Sequence, residues 1–285
     1  MAPSARLSDV RRTLAGLLFG LAYACASLAI SGFLLQRTAF NPDNSSAAAG
    51  VILGDGAIRA QLVNAIIDNS ATPVIPEDVV NRPLEIERLR RLVAKVAQHP
   101  DGEQNFAQII HDAHSRLIGD HPAPVQITGE ELVSITRTQR AAATTTFELA
   151  VPEVSALAIT NHVTDWLVPI LAIAAVVLLL AGLSTHPEKE SMLKTLALGL
   201  VVLALTSLIM GYLVPKFAIP ALSKSVWAHI PALMADEQLP LVIGMMVALI
   251  VAAVLAVAGS GMMRRQRRWS QPISTYRYSE ERRWS

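Results

Sequence analysis

Charge is scarce in this 285-residue sequence: Asp, Glu, Lys and Arg make up 16% of it, against 52% hydrophobic residues and a mean hydropathy of +0.41. An average soluble domain is roughly a quarter charged, so this chain carries more apolar surface than a water-facing fold can hide, and lipid has to cover the surplus. Cysteine is nearly missing. The lone Cys25 excludes an internal disulfide framework and leaves stability to packing. Catalytic patterns are missing as well. There is no Gly-Lys-Ser/Thr after Gly50, Gly54 and Gly56, and no His-Glu-x-x-His zinc pattern. Ser191-Met-Leu-Lys194 has Ser-x-x-Lys spacing but falls at the end of an apolar run and lacks its companion motifs. The expectation is a protein that is not an enzyme and holds no cofactor.

Long apolar runs are what the sequence has in quantity. A hydrocarbon core about 30 Å thick calls for roughly 20 apolar residues per helix. Four stretches qualify: Thr13–Leu35, Trp166–Leu183, Met192–Leu213 and Leu239–Gly259. Their interiors hold no Asp, Glu, Lys, Arg or His, which argues against an ion-coupled transporter or pump, whose path needs such groups. Lys194 and Lys216 lie near the two ends of the third run, where long side chains snorkel to the interface. Trp166, Tyr212 and Trp227 fall where an aromatic belt is expected.

Arg6, Arg11 and Arg12 precede the first run, and Arg264, Arg265, Arg267 and Arg268 follow the last. The positive-inside rule then puts both termini in the cytoplasm, and an even number of spans connects them. The first run is longer than the roughly 7–15 residues of a secretory signal core, so it reads as an uncleaved anchor. The expected fold class is an all-α membrane protein with four transmembrane helices and a helical extracytoplasmic domain. Its layout is a cytoplasmic N-terminus (1–12), helix 13–35, the extracytoplasmic domain (36–165), helix 166–183 and a cytoplasmic turn (184–191). Helix 192–213, an extracytoplasmic amphipathic loop (214–238), helix 239–259 and a basic cytoplasmic tail (260–285) complete it.

Between Gln36 and Asp165 sixteen acidic residues face ten basic ones, a net charge of −6, while the tail after Gly261 has seven arginines and two glutamates. The near-neutral total of +1 conceals that separation. Helical periodicity runs through the acidic region. Ile58, Leu62, Val63, Ile66 and Ile67 form one stripe, with Asp55 placed to cap it. A second stripe, Leu89, Leu92, Val93 and Val96, is entered through Asn81 and Pro83 and stops before Pro100. Phe106, Ile109, Ile110, Ala113 and Leu117 form a third, begun at Asp101. Thr128-Gly-Glu-Glu131 reads as a capping box opening a fourth helix. The β-branched stretch Ala143–Phe147 suits extended chain, and Pro152–Asp165 turns helical towards the second span. With three aromatics in the whole region, its core must be aliphatic. The second loop is amphipathic too, with Phe217, Ile219, Leu222, Val226, Trp227, Ile230 and Leu233. It reads as an interfacial helix, along the outer leaflet or under the outer domain.

The run Phe40-Asn-Pro-Asp43, followed by Leu53-Gly-Asp55-Gly-Ala-Ile58-Arg59 and Ile67-Asp68, resembles a widespread type of actinobacterial, mycobacterial-like membrane protein. In that type a first span is followed by an F-x-P step and a D-P-x-V-R helix, then by three clustered C-terminal spans. The present chain has Asp55-Gly56 where that type carries a proline. The resemblance implies the four-span layout and the plasma membrane of a bacterium, and it brings no activity with it.

Four features remain as candidates. His111 and His114 stand at i, i+3, with His99, Asp120 and His121 near in sequence. Zinc ligands are found at such spacings. The plainer reading is a solvated helix face, and without cysteine or a fuller motif no metal site is expected. Gly16, Gly20 and Ala24 form a small-residue stripe that lets helices approach closely, by docking the first span on the other three or by self-association. The intramolecular use is the expected one. The tail repeats Arg-Arg-Trp-Ser, with Arg267, Arg268 and Trp269 in one copy and Arg282, Arg283 and Trp284 in the other. Arginines beside a membrane attract anionic lipid at about 1 kcal/mol each, and a second copy at the terminus suits a protein contact. The partners expected are therefore the bilayer, anionic lipid at the tail and another membrane or envelope protein, with a homo-oligomer open and nucleic acid excluded.

Overall fold

The computed structural model describes residues 3–98, 100–185 and 189–269. The chain is an all-α membrane protein, and among the described residues four helices are long and apolar enough to cross a bilayer: Thr13–Ala39, Ser155–Thr185, Ser191–Ala221 and Leu239–Met262. They overrun the apolar stretches expected from hydropathy because a helix leaving lipid keeps its own hydrogen bonds. The first helix, α1 (Pro3–Ala39), has 37 residues. At 1.5 Å per residue that is about 55 Å, well beyond a hydrocarbon core of about 30 Å.

α1 ends where Asn41 takes extended backbone, and α2 (Pro42–Ala47) starts. The Asn41 side-chain oxygen accepts from the N–H groups of Asp43 (3.0 Å) and Asn44 (3.3 Å). Pro42 occupies the first turn, where its missing N–H leaves no bond unmade. After α3 (Ala49–Gly54), Asp55 caps α4 (Gly56–Val74) in the same way, accepting from Ala57 and Ile58. α5 (Arg82–Gln98) and α6 (Pro100–Leu117) follow the stripes read from sequence.

A short antiparallel pair comes next: β1 (Val125–Ile127), with Val125 opposite Leu149 and Ile127 opposite Phe147 of β2 (Phe147–Leu149). Extended chain thus starts at Phe147, later than the expected Ala143–Phe147. Phe147 and Leu149 alternate with exposed Glu148 and so give one apolar face, which the threonines before them do not. Between the strands, α7 (Gly129–Thr136) opens with the full capping box. Glu131 N–H donates to Thr128 Oγ1 (3.3 Å), and Thr128 N–H donates to Glu131 Oε2 (2.8 Å). A Cβ on Gly129 would press on the carbonyl oxygens of Ala141, Ala142 and Thr144, so this approach needs glycine.

α8 (Ser155–Thr185) and α9 (Lys189–Leu208) are the second span and most of the third. From Ile209 to Ala218 the third span widens into a π-helix around Pro215, whose ring breaks the ordinary ladder, before α10 (Ile219–Ala221). α11 (Ile230–Glu237) and α12 (Leu239–Trp269) close the described chain.

These elements form two compact units. The larger is built from Ala29–Ile170 and Ser207–Ile243. Its aliphatic core includes Ile52, Ile58, Leu62, Ile66, Ile110 and Ile135, with Phe106 the most deeply buried of the three first-loop phenylalanines. The second loop belongs to this same core. Trp227 is 0% exposed, and Ile230 and Met234 are buried with it, so this loop is no helix along the outer leaflet, and Trp227 is no belt residue. The whole indole is covered, its Nε1 included, and burial of its large apolar area outweighs an N–H left without a partner among the described residues. His229 Nδ1 lies 3.8 Å from Asp55 Oδ2, a polar link between the two loops.

The other unit draws on the described parts of Met1–Leu28, Leu171–Thr206 and Gly244–Ser285. The Phe19 and Tyr23 rings stack with centroids 6.5 Å apart. Gly182 meets the Phe19 ring at van der Waals distance, and Gly199 makes room for the Tyr23 ring. The stripe expected to dock α1 does neither of these things. Gly16, Gly20 and Ala24 are exposed, and a Cβ at Gly16 or Gly20 would meet nothing within 4 Å among the described residues. Ala15, Phe19 and Ala22 are the residues buried instead, because aromatic rings on α1 fit against glycines on its neighbours, which reverses the expected arrangement.

Candidate functional site

The richest polar constellation of the larger unit is made by α6. Phe106, Ile109, Ile110, Ala113 and Leu117 fill its buried stripe. Gln108, His111, Asp112 and Ser115 stand beside that stripe at i, i+3, i+4 and i+7, a second face on the same helix. α6 then ends in a Schellman turn. Gly119 takes φ +70°, its N–H donates to the Arg116 carbonyl (3.2 Å), and Asp120 N–H donates to that of Ser115 (2.9 Å). The turn sends the chain back beside the polar face. Asp120, His121 and Ala123–Gln126, which runs into β1, thereby close a cavity of about 510 Å³ over Gln108, His111, Asp112 and Ser115.

Inside it the Asp112 carboxylate is held from two sides. Gln108 Nε2–H donates to its Oδ1 at 2.8 Å, and His111 Nδ1 lies 3.0 Å from the same oxygen. The other His111 nitrogen is 3.6 Å from Asp43 Oδ1, so carboxylates flank the ring on both sides. Ser115 is 2% exposed and its Oγ has no hydrogen-bond partner among the described residues. A serine, a histidine and an aspartate therefore share one cavity without the serine–base bond that acyl transfer requires. The Ser115 oxygen has almost no accessible surface of its own, and an orphaned buried hydroxyl costs about 1–3 kcal/mol.

His114 has a different task. It lies on the buried stripe, one turn from Ile110, and is 0% exposed. Its Nε2–H donates to the carbonyl of Ala39 at 2.9 Å, which gives a partner to an oxygen that the end of α1 leaves without an intrahelical donor. Burial, aided by the nearby His111, pushes its pKa down to about 4, and the bond to Ala39 only partly offsets this. The solvated face expected for the pair is thus wrong for His114 and half right for His111, which is partly buried. The two rings take different partners. Among the described residues no three or more His, Cys, Asp or Glu side chains gather as metal ligands. His121 reaches the cavity, and His99 lies outside the described residues.

The sequence reading singled out His111 but missed Gln108 and Ser115. The i, i+3, i+4, i+7 polar stripe marks their face of α6 in the sequence but does not reveal the cavity over it. Of the tail, Arg264, Arg265, Arg267, Arg268 and Trp269 continue α12 in backbone, while Arg282, Arg283 and Trp284 lie outside the described residues. In the third span, Thr206 Oγ1 donates to carbonyls of its own helix (Leu203, 3.0 Å), and the Tyr212 hydroxyl donates to Asp236 (3.1 Å). Lys216 forms an ion pair with the same Asp236.

No protein family, no curated protein and no solved structure matches the chain.

Proposed function

We propose that the chain is an accessory or scaffold subunit of a bacterial cell-envelope assembly or transport complex. In this reading it resides in the plasma membrane with both termini in the cytoplasm and the acidic helical unit outside. The observation that carries the reading is the shared core. Trp227, Ile230 and Met234 of the second loop are buried with Ile52, Leu53 and Phe106 of the first, so both loops occupy one side of the membrane. Four spans satisfy that condition, and the arginines at each end supply the side. A sealed core of this kind offers a partner a preformed surface. The absence of Asp, Glu, Lys, Arg and His from the interiors of the four apolar runs favours support over ion-coupled transport. The resemblance to an actinobacterial type points to the same setting.

Two measurements test it. In a Cys25→Ser background, Val80→Cys, at an exposed turn, should react with an impermeant thiol reagent in intact cells, and Ser274→Cys should not. The reverse pattern would overturn the orientation. Purification in mild detergent should retain a stoichiometric envelope protein. If the chain instead purifies alone and forms ion-conducting oligomers in liposomes, the scaffold reading is wrong and a channel is right.

A further inference from the structure

We propose that the cleft where α1 leaves the bilayer beside α8 holds a phospholipid whose headgroup carries both a phosphate and a primary ammonium, a phosphatidylethanolamine. The inference stands apart from the scaffold reading and from the orientation of the spans. It rests on the level of the cleft, its shape and its charges. A Cβ at Gly32 would press into the Val168 side chain, so α1 and α8 meet closely there. One turn further along α1, Gln36 Nε2–H donates to Asp165 Oδ1 at 2.8 Å and ties the two helices together. Beside that bond Phe33, Arg37, Phe40 and Asp165 line a cavity of about 400 Å³, a volume of small-molecule size.

Level decides the class of occupant. Arg37 follows the apolar run that ends at Leu35, and Asp165 directly precedes the run that starts at Trp166. Trp166 is 70% exposed, as an indole of the headgroup layer is. Phe33 lies one turn into the span from Arg37 and is 43% exposed, a surface for the start of an acyl chain. Lipid has to cover this edge of the two helices, and the charges select its headgroup. Arg37 and Asp165 are both exposed, and among the described residues neither joins an ion pair, with the other or with a third group. Gln36 gives the Asp165 carboxylate one neutral donor and leaves its charge unmatched. A guanidinium takes phosphate through paired N–H donors, and a carboxylate takes an ammonium that has N–H groups to give. The ethanolamine headgroup offers both from one short arm. A choline headgroup has no N–H to donate, and a glycerol headgroup sets no cation against Asp165.

The test is native mass spectrometry of the full-length protein in detergent micelles, titrated with phosphatidylethanolamine, phosphatidylcholine and phosphatidylglycerol of identical chains. Phosphatidylethanolamine should bind saturably, about 5-fold or more tighter than either of the others. Asp165→Asn keeps an oxygen for Gln36 and should erase that preference, leaving the three lipids within about 2-fold of one another. Arg37→Gln should weaken phosphatidylethanolamine about 5-fold, and Arg37→Lys by no more than about 2-fold, because the lysine keeps the charge. Glycerophosphoethanolamine, the headgroup without chains, should bind about 100-fold more weakly for want of apolar contact. The melting temperature of each variant, expected to match that of the natural protein, separates a lost site from a lost fold. Equal binding of the three lipids, or a preference that survives Asp165→Asn, would overturn the proposal. So would tighter binding of phosphatidylglycerol than of phosphatidylethanolamine, or glycerophosphoethanolamine bound as tightly as the lipid.

Discussion

The two units solve the same problem, hiding apolar side chains, in opposite ways. The larger unit folds as a water-facing protein does. Its stripes turn inward, its helix ends are capped by Asn41, Asp55 and Thr128, and its core closes around Phe106 and Trp227. The span unit leaves Leu180, Val254 and Leu255 on its surface, where lipid covers them, and its internal contacts depend on glycines that admit aromatic rings. Burial drives the first unit. In the second, lipid is as apolar as leucine, so shape has to do what burial does elsewhere. Substitutions should therefore separate the units by mechanism, with removal of volume mattering most in one and addition of volume in the other.

The largest effect is expected from Trp227→Ala. It empties the core where the two loops meet and should lower the stability of the larger unit by about 3–5 kcal/mol, read by denaturant unfolding in micelles. A near-zero change would return this indole to the headgroups and break the contrast. Acid comes next. His114 is held neutral by burial, with its pKa down at about 4 from an ordinary 6.5, so the unfolded chain takes up a proton first. Stability should be level above pH 6.5 and fall as pH drops towards 4, by about 3 kcal/mol in all. His114→Gln should flatten that slope, and an unchanged profile would assign acid sensitivity to other groups.

In the span unit, Gly199→Leu places a side chain where the Tyr23 ring sits and should cost about 1–3 kcal/mol, visible as a lower melting temperature in micelles. Thr128→Ala removes one half of the capping box and should cost about 1 kcal/mol in the larger unit. Gly16→Ala should change the stability of the monomer by no more than about 0.5 kcal/mol, because that face of α1 is open. A large loss there, with a shift in oligomeric size, would show that the stripe is covered by a second copy.

Much of this architecture was legible in the sequence because it depends on local chemistry. The four apolar runs, the Asp55 cap, the Thr128–Glu131 box and the stripes of α4, α5 and α6 each involve residues within a few turns of one another. What was misread depends on partners distant in the chain. Gly16 and Gly199 look alike as sequence, yet one meets open space and the other an aromatic ring. His111 and His114 differ by three positions, which is most of a helical turn, and only the end of α1 explains why one is sealed and the other lines a cavity. Gln108 and Ser115 went unseen because nothing in α6 alone reveals that a Schellman turn brings Asp120 and β1 back over them.

The sequence by itself determined the four apolar runs and the position of most helix starts, since hydropathy and capping act within a helical turn or along a single run. Tertiary structure alone decided that Trp227 belongs to a core, that the stripe on α1 stays open, and that four polar residues of α6 share a cavity. Those outcomes depend on which surfaces meet, and each is set by residues more than a hundred positions apart or by a chain reversal that periodicity does not encode.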